Sequence, residues 1–260
     1  MKIASWNVNS VKSRLPHLLD WLKAVKPDVV CLQEIKTVEE NFPRLEIEAA
    51  GYQAAVVGQK AYNGVAILSP HPIEVLERRL PGDKADDQAR YLEARIKGVR
   101  IACLYLPNGN PVGSEKFDYK LRWLDRLKRH ADALLKTEEA FVLAGDFNVI
   151  PAGEDVFDPK GWEGDALYHT RSRAKFRTLL FSGLTDAFRG LHPEKLAFTY
   201  WDYQGRAFDR DLGLRIDHLL LSPQAADRLL ACDIDKRPRA KEKPSDHTPI
   251  WCELEDQMSA

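Results

Sequence analysis

No run of apolar residues in this 260-residue chain reaches the roughly 20 that a helix needs to span a bilayer, so a helical integral membrane protein is excluded. The opening residues, Met1 to Asn7, also lack the apolar core of a secretory signal. Net charge is nearly absent: 38 Lys and Arg stand against 39 Asp and Glu. The molecule as a whole therefore cannot steer itself onto a polyanion, and any nucleic-acid binding must come from a local basic face or from bound cations. Cysteine is scarce. Cys31, Cys103, Cys232 and Cys252 form no C-x-x-C pair, and three of them lie in apolar, strand-like runs where Cys acts as a small hydrophobe. A reduced, cytoplasmic location is expected. No repeat, low-complexity tract or linker interrupts the sequence, so a single domain over residues 1–260 and a monomer are expected.

What is present is a large apolar fraction whose spacing alternates between strand and helix. Strands are predicted over 2–8, 28–34, 52–58, 64–70, 91–96, 99–106, 140–149, 214–222 and 249–254. Asn63-Gly64 marks a hairpin between two of them. Leu15, Leu18, Leu19 and Leu22 fall at helical spacing, and Pro27 ends that helix. The longest helix is predicted over 115–136, with Phe117, Leu121, Leu124, Ala131, Leu134 and Leu135 as its apolar stripe. Its basic residues, Lys120 and Arg126 among them, read mostly as solvated. Another helix opens at Arg171 and stops near Gly183, and Ser222-Pro223 is a helix cap. Phe198-Thr199-Tyr200-Trp201-Asp202-Tyr203 packs four aromatic rings into six residues; core filling is the default, but an exposed part of such a cluster can stack or wedge bases.

The central stretch is Val142-Leu143-Ala144-Gly145-Asp146-Phe147-Asn148-Val149. Residues two apart in extended backbone share a face, so Asp146 and Asn148 can aim a carboxylate and an amide at one point. A polar turn is the plainer explanation. Other strand ends weigh against it, because Asn7, Glu34, Tyr105, Asp217, Asp246 and His247 also lie at strand ends. In a layered α/β fold these ends can converge. The oxygen-rich set suits Mg²⁺ or Mn²⁺ and not structural zinc. An Asp beside a His can fix the imidazole tautomer. Together these are the parts that phosphoester hydrolysis requires.

Eight segments, KIASWNVNSVKSRL, PDVVCLQEIK, KAYNGVAILS, YLPNGN, VLAGDFNV, FTYWDY, GLRIDHLLLS and KPSDHTPI, occur in an order and span that resemble the exodeoxyribonuclease III and AP endonuclease branch of the endonuclease/exonuclease/phosphatase family. The resemblance implies a four-layer α-β-β-α sandwich of two packed mixed sheets, the DNase I-like fold. It implies a Mg²⁺-dependent hydrolase of duplex DNA that cuts beside abasic sites and trims or cleans 3′ ends. Asn7, Glu34 and Asp246 then match metal-site positions, and Asp146, Asn148 and His247 adjoin the same ion. Asp146 matches the group that activates water, and Asn148 the amide that contacts phosphate. Asp217 matches the residue that orients His247, and Tyr105 an active-site tyrosine. Tyr62, Asn63, Asn108 and Lys116 match DNA-contacting positions, while Tyr200, Trp201 and Leu214 match a pocket for a base-less sugar. The segment Pro151–Thr170 departs from the family pattern, and Asn108 stands where relatives often have Gln. The rival readings are a phosphoesterase of the same fold acting on inositol phosphate, lipid or RNA, and a non-catalytic nucleic-acid binder.

Overall fold

A computed structural model describes residues 1–256. The strands are β1 (Lys2–Asn7), β2 (Val29–Gln33), β3 (Gln53–Val57), β4 (Val65–Ser69), β5 (Glu74–Glu77), β6 (Tyr91–Ile96), β7 (Val99–Tyr105), β8 (Phe141–Asp146), β9 (Thr185–Asp186), β10 (Asp217–Leu221), β11 (Leu229–Ile234) and β12 (Ile250–Leu254). They form two six-stranded sheets, ordered β11-β12-β1-β2-β4-β3 and β5-β6-β7-β8-β10-β9. The helices are α1 (Leu15–Val25), α2 (Arg44–Ala49), α3 (Glu115–Leu135), α4 (Thr170–Phe181), α5 (Ala187–Leu191) and α6 (Pro223–Ala226).

Alternation along each central strand explains the layering. Ile3, Cys31, Ile67, Ile101, Val142 and Leu219 point into the space between the sheets. Their neighbours Ala4, Val30, Leu32 and Leu68 face outwards onto Leu18, Trp21 and Leu22 of α1. On the second sheet, Leu143 and Leu220 pack on Trp123, Leu124 and Leu127 of α3 and on Phe176 and Leu179 of α4. The inner strands are apolar on both faces because both faces are covered. The result is the four-layer sandwich.

Strand direction then decides where the polar ends go. β1 runs parallel to β2, and β7 parallel to β8. β10 is antiparallel to β8, and β12 antiparallel to β1. The last residues of β1, β2, β7 and β8 therefore share one edge with the first residues of β10 and the turn before β12.

Three differences from the sequence reading have physical causes. The strand expected from Leu214 starts at Asp217, because Leu214 instead bridges Tyr200 and Val156. The strand expected to reach Val149 stops at Asp146, because Asn148 turns into the left-handed region at φ 47°. Lys120 and Arg126 are buried, not solvated. Lys120 lies three residues after Phe117 and four before Leu124, inside the apolar stripe, and Arg126 is drawn in by Asp86 and the Leu80 carbonyl. The short strands β5, β9 and β11 carry too little periodic signal to stand out.

Gly145 allows the two central strands of the second sheet to approach. It faces Leu104 on one side and His218 on the other, and a Cβ there would lie far inside van der Waals contact with the Leu104 carbonyl oxygen. Gly145→Ala is expected to destabilise the fold by at least ~2 kcal/mol through overpacking, read as a lower denaturation midpoint in urea.

Candidate active site

Asn7 ends β1 with its amide between two carboxylates. Its Nδ2 donates to Glu34 Oε1 at 2.8 Å and to Asp146 Oδ2 at 3.0 Å. Glu34 sits just past β2 in the left-handed region at φ 49°, and Lys36 Nζ lies 3.0 Å from its other oxygen. Burial works against the Glu34 charge, but the Asn7 donor and the Lys36 ammonium outweigh it and hold its carboxyl below the usual value. Asp146 is fully enclosed. Burial pushes its pKa up to about 7; His247 opposes that rise and Asp217 adds to it.

Asp217 opens β10, level with Asp146 in register. Its Oδ2 is 2.8 Å from His247 Nδ1, and His247 Nε2 is 3.7 Å from Asp146 Oδ2. Burial disfavours a charged imidazole, yet the Asp217 and Asp146 carboxylates raise the His247 pKa to about 10. The ring is braced by Tyr200, centroid to centroid 5.0 Å, and the turn that carries it is stitched to β1 by Ser245 Oγ, which donates to the Asn7 carbonyl at 2.7 Å. Thr199 Oγ1 accepts the main-chain N–H of both Ile216 and Asp217, fixing the start of β10.

Asn148 joins Asp146 by a route other than strand alternation. Its main-chain N–H donates to Asp146 Oδ1 at 2.9 Å, an Asx-type turn in which the carboxylate caps the backbone that carries Asn148. One amide hydrogen of Asn148 is engaged by the Leu106 carbonyl, and its Oδ1 accepts from Asn108 Nδ2 at 3.3 Å. Tyr105 lies at the end of β7, in line with Asp146, under the Arg90 guanidinium. Burial, then Glu34 and Asp146, push its hydroxyl well above the ordinary pKa.

Glu34, Asp146 and His247 each present a ligand atom, all within 4.8 Å of one another. The carboxylates fit a hard divalent cation. The imidazole is the weakest donor of the three, because a protonated ring has no free lone pair. Asp246 reaches the group through Asn9, whose Nδ2 donates to Asp246 Oδ1 at 3.0 Å while its Oδ1 accepts from Lys36. Asn9, Lys36 and Lys120 are the members that sequence reasoning missed. The first two stand two residues beyond Asn7 and Glu34, which was the available signal.

The outlying candidates divide. Tyr62 and Lys116 are exposed, as is Asn108. Asn63 is buried with its amide on Gln59 and Gln88. Tyr200 and Leu214 border a hollow of about 370 Å³ whose other walls include Phe157 and Trp162, from the segment that departs from the family pattern. Trp201 is not a wall of it. Its ring is fully buried and its indole N–H is held by Asp211, so it acts as foundation and is not free to touch a ligand.

That irregular segment is tethered by a buried ion cluster. Arg215 Nε meets Asp155 Oδ1 at 2.7 Å, and its Nη1 meets Asp186 Oδ2 at 2.8 Å. His218 Nδ1 accepts from the same guanidinium, which leaves Nε2 to donate to the Val149 carbonyl at 2.9 Å. Burial and the Arg215 charge lower the His218 pKa from 6.5 to about 4. Between these values the unfolded chain takes up a proton that the folded chain refuses, so stability is lost as pH falls through this window. The loss is on the order of 3 kcal/mol. Urea unfolding at several pH values between 7 and 4 should show this acid limb, and His218→Gln should flatten it.

A family model described as Endonuclease/Exonuclease/phosphatase family matches residues 4–247. Exodeoxyribonuclease III of Haemophilus influenzae is 34% identical, covering 98% of this chain and all of its own. A solved AP endonuclease from Archaeoglobus fulgidus is 36% identical with a TM-score of 0.94, covering 98% of this chain and 99% of its own. A Neisseria 3′ phosphatase variant bound to a product DNA hairpin is 40% identical with a TM-score of 0.95, at the same coverage. A sandwich whose strand ends gather carboxylates, an amide and an Asp-fixed histidine at one edge, matched from the first strand to that histidine, belongs to the Endonuclease/Exonuclease/phosphatase family.

Proposed function

We propose that this chain is a single-domain, Mg²⁺-dependent DNA-repair nuclease of duplex DNA. It removes nucleotides from 3′ ends, clears phosphate and other blocks from those ends, and incises beside abasic sites. The observation that carries the reading is the meeting of Glu34, Asp146 and His247 within 4.8 Å, on a scaffold shared with relatives named for these activities.

Each group has a task. Asn7, Glu34 and Asp246 are the residues to hold the divalent ion, Mg²⁺ or Mn²⁺, which supplies charge neutralisation to the phosphoryl oxygens and the departing 3′ oxygen. Asp146, with a pKa near neutrality, accepts the proton of the attacking water. Asp217 fixes His247, which presents a positive Nε2 towards the phosphate oxygens. The second amide hydrogen of Asn148 is free to donate to a phosphoryl oxygen, and donation without added negative charge is what an anionic substrate requires. Tyr105 stays protonated and can donate as well. Exposed Tyr62, Asn108 and Lys116 are suited to the sugar-phosphate backbone, and the hollow beside Tyr200 and Leu214 to the sugar or terminal nucleotide next to the cut.

The test is a cleavage time course on two labelled duplexes, one with an abasic site and one with a recessed 3′ end. Cleavage of both should require Mg²⁺ and stop with EDTA. Asp146→Asn should lower turnover by at least ~100-fold on both while leaving duplex affinity in a gel-shift titration within about threefold. Near-normal turnover in that variant would refute the assignment. Cleavage of inositol phosphate, lipid or RNA in preference to DNA would move the substrate elsewhere in the family.

A further inference from the structure

Among the described residues, Lys120 is the only lysine that is fully buried. Its Nζ donates to two neutral main-chain carbonyls, Asn148 O at 2.6 Å and Asn108 O at 2.9 Å. Burial lowers the Lys120 pKa to about 7, against the pull of the Asp146 and Asp165 carboxylates. Burying a lysine head group against neutral partners costs more than an apolar side chain of the same length, so this is a poor device for stability alone. The two carbonyls share a location. Asn108 lies in the loop after β7, which brings in Tyr105, and Asn148 in the loop after β8, which brings in Asp146. The backbone ladder between the loops ends with the Leu106 N–H on the Asp146 carbonyl. Past it only side chains tie them, through the Asn148 amide on the Leu106 carbonyl, the Asn108–Asn148 amide contact and the Lys120 Nζ. Asn148 also holds a left-handed backbone, φ 47°, that must be over-determined by its surroundings to persist. The fit is close: Gly109, at φ 88°, lies against the lysine stem, and a Cβ there would be 2.5 Å from Lys120 Cδ.

We propose that Lys120 is a positioning residue for phosphodiester cleavage, which clamps the Asn148 and Asn108 carbonyls so that the Asn148 amide and Asp146 face the same phosphate. This rests on the nuclease reading above. Lys120 touches no substrate; it acts through Asn148.

The experiment measures kcat and KM on the recessed-3′ duplex, at saturating Mg²⁺, for the wild type, Lys120→Met, Asn148→Ala and the double variant, with near-UV circular dichroism as the check on folding. Lys120→Met should lower kcat about 30-fold with KM within about threefold. In the Asn148→Ala background the same substitution should change kcat by less than about twofold, because the residue it positions is gone. Gly109→Ala, which displaces the stem without removing the ammonium, should give the same selective fall in kcat, and it carries the test if Lys120→Met does not fold. Undiminished kcat in a folded Lys120→Met or Gly109→Ala protein overturns the proposal. So do losses that multiply in the double variant, since those would mean that Lys120 works independently of Asn148. A wild type with no DNA cleavage would instead remove the nuclease reading itself.

Discussion

The ion pair between His247 and Asp217 is what makes the site possible. Asp146 is enclosed with Glu34 and Asp217 nearby, and like charges in a low-dielectric setting disfavour one another strongly. A neutral histidine would leave that repulsion unanswered. Asp217 holds the imidazole protonated and aims its other nitrogen at Asp146, so one positive charge is shared between two carboxylates. Lys36 does the same for Glu34 from the opposite side. The pocket stays strongly polar but not unmanageably negative, which is the condition for accepting both a cation and a phosphate.

The fold holds this balance in place by backbone register. Asp217 and Asp146 are paired residues on adjacent strands, and Tyr105 is level with Asp146 on the other side. A slip of one residue would turn each of these side chains to the opposite face. Ser245 anchors the His247 turn to β1, and Thr199 anchors the start of β10, so each member is tied down within a residue or two of its functional atom. The Arg215 cluster serves the loop from Pro151 onward, which has no regular hydrogen-bonded structure long enough to hold itself.

Much of this was legible in the sequence. Long apolar strands and the α3 stripe announce themselves by period, and side chains at strand ends are conspicuous because the apolar runs stop there. Asp146 and Asn148 were expected to share a strand face by alternation; the strand instead ends at Asp146, and a turn capped by the Asp146 carboxylate on the Asn148 main-chain N–H links the two residues. Lys120 was misread because charge overrode position, although its spacing from Phe117 and Leu124 places it on the buried face. Trp201 was expected to line a pocket and is sealed below it, since which ring of an aromatic cluster faces out depends on contacts made by distant segments such as the loop carrying Asp211. Asn9 and Lys36 had only their spacing from Asn7 and Glu34 to mark them; the link from Asn9 to Asp246 comes from the other end of the chain and is not readable from spacing.

The site straddles the seam between the two sheets. Asn7 and Glu34 belong to one sheet and Asp146 and Asp217 to the other, and the Asn7–Asp146 hydrogen bond crosses the gap. Nothing in the backbone ladder sets that gap. Its width is set by the volumes of Cys31, Cys103, Ile67, Val142 and their neighbours, stacked like shims between two plates. The chemistry is thus calibrated by residues that never see a substrate, and a single methyl group added or lost deep in the sandwich resets the spacing at its rim.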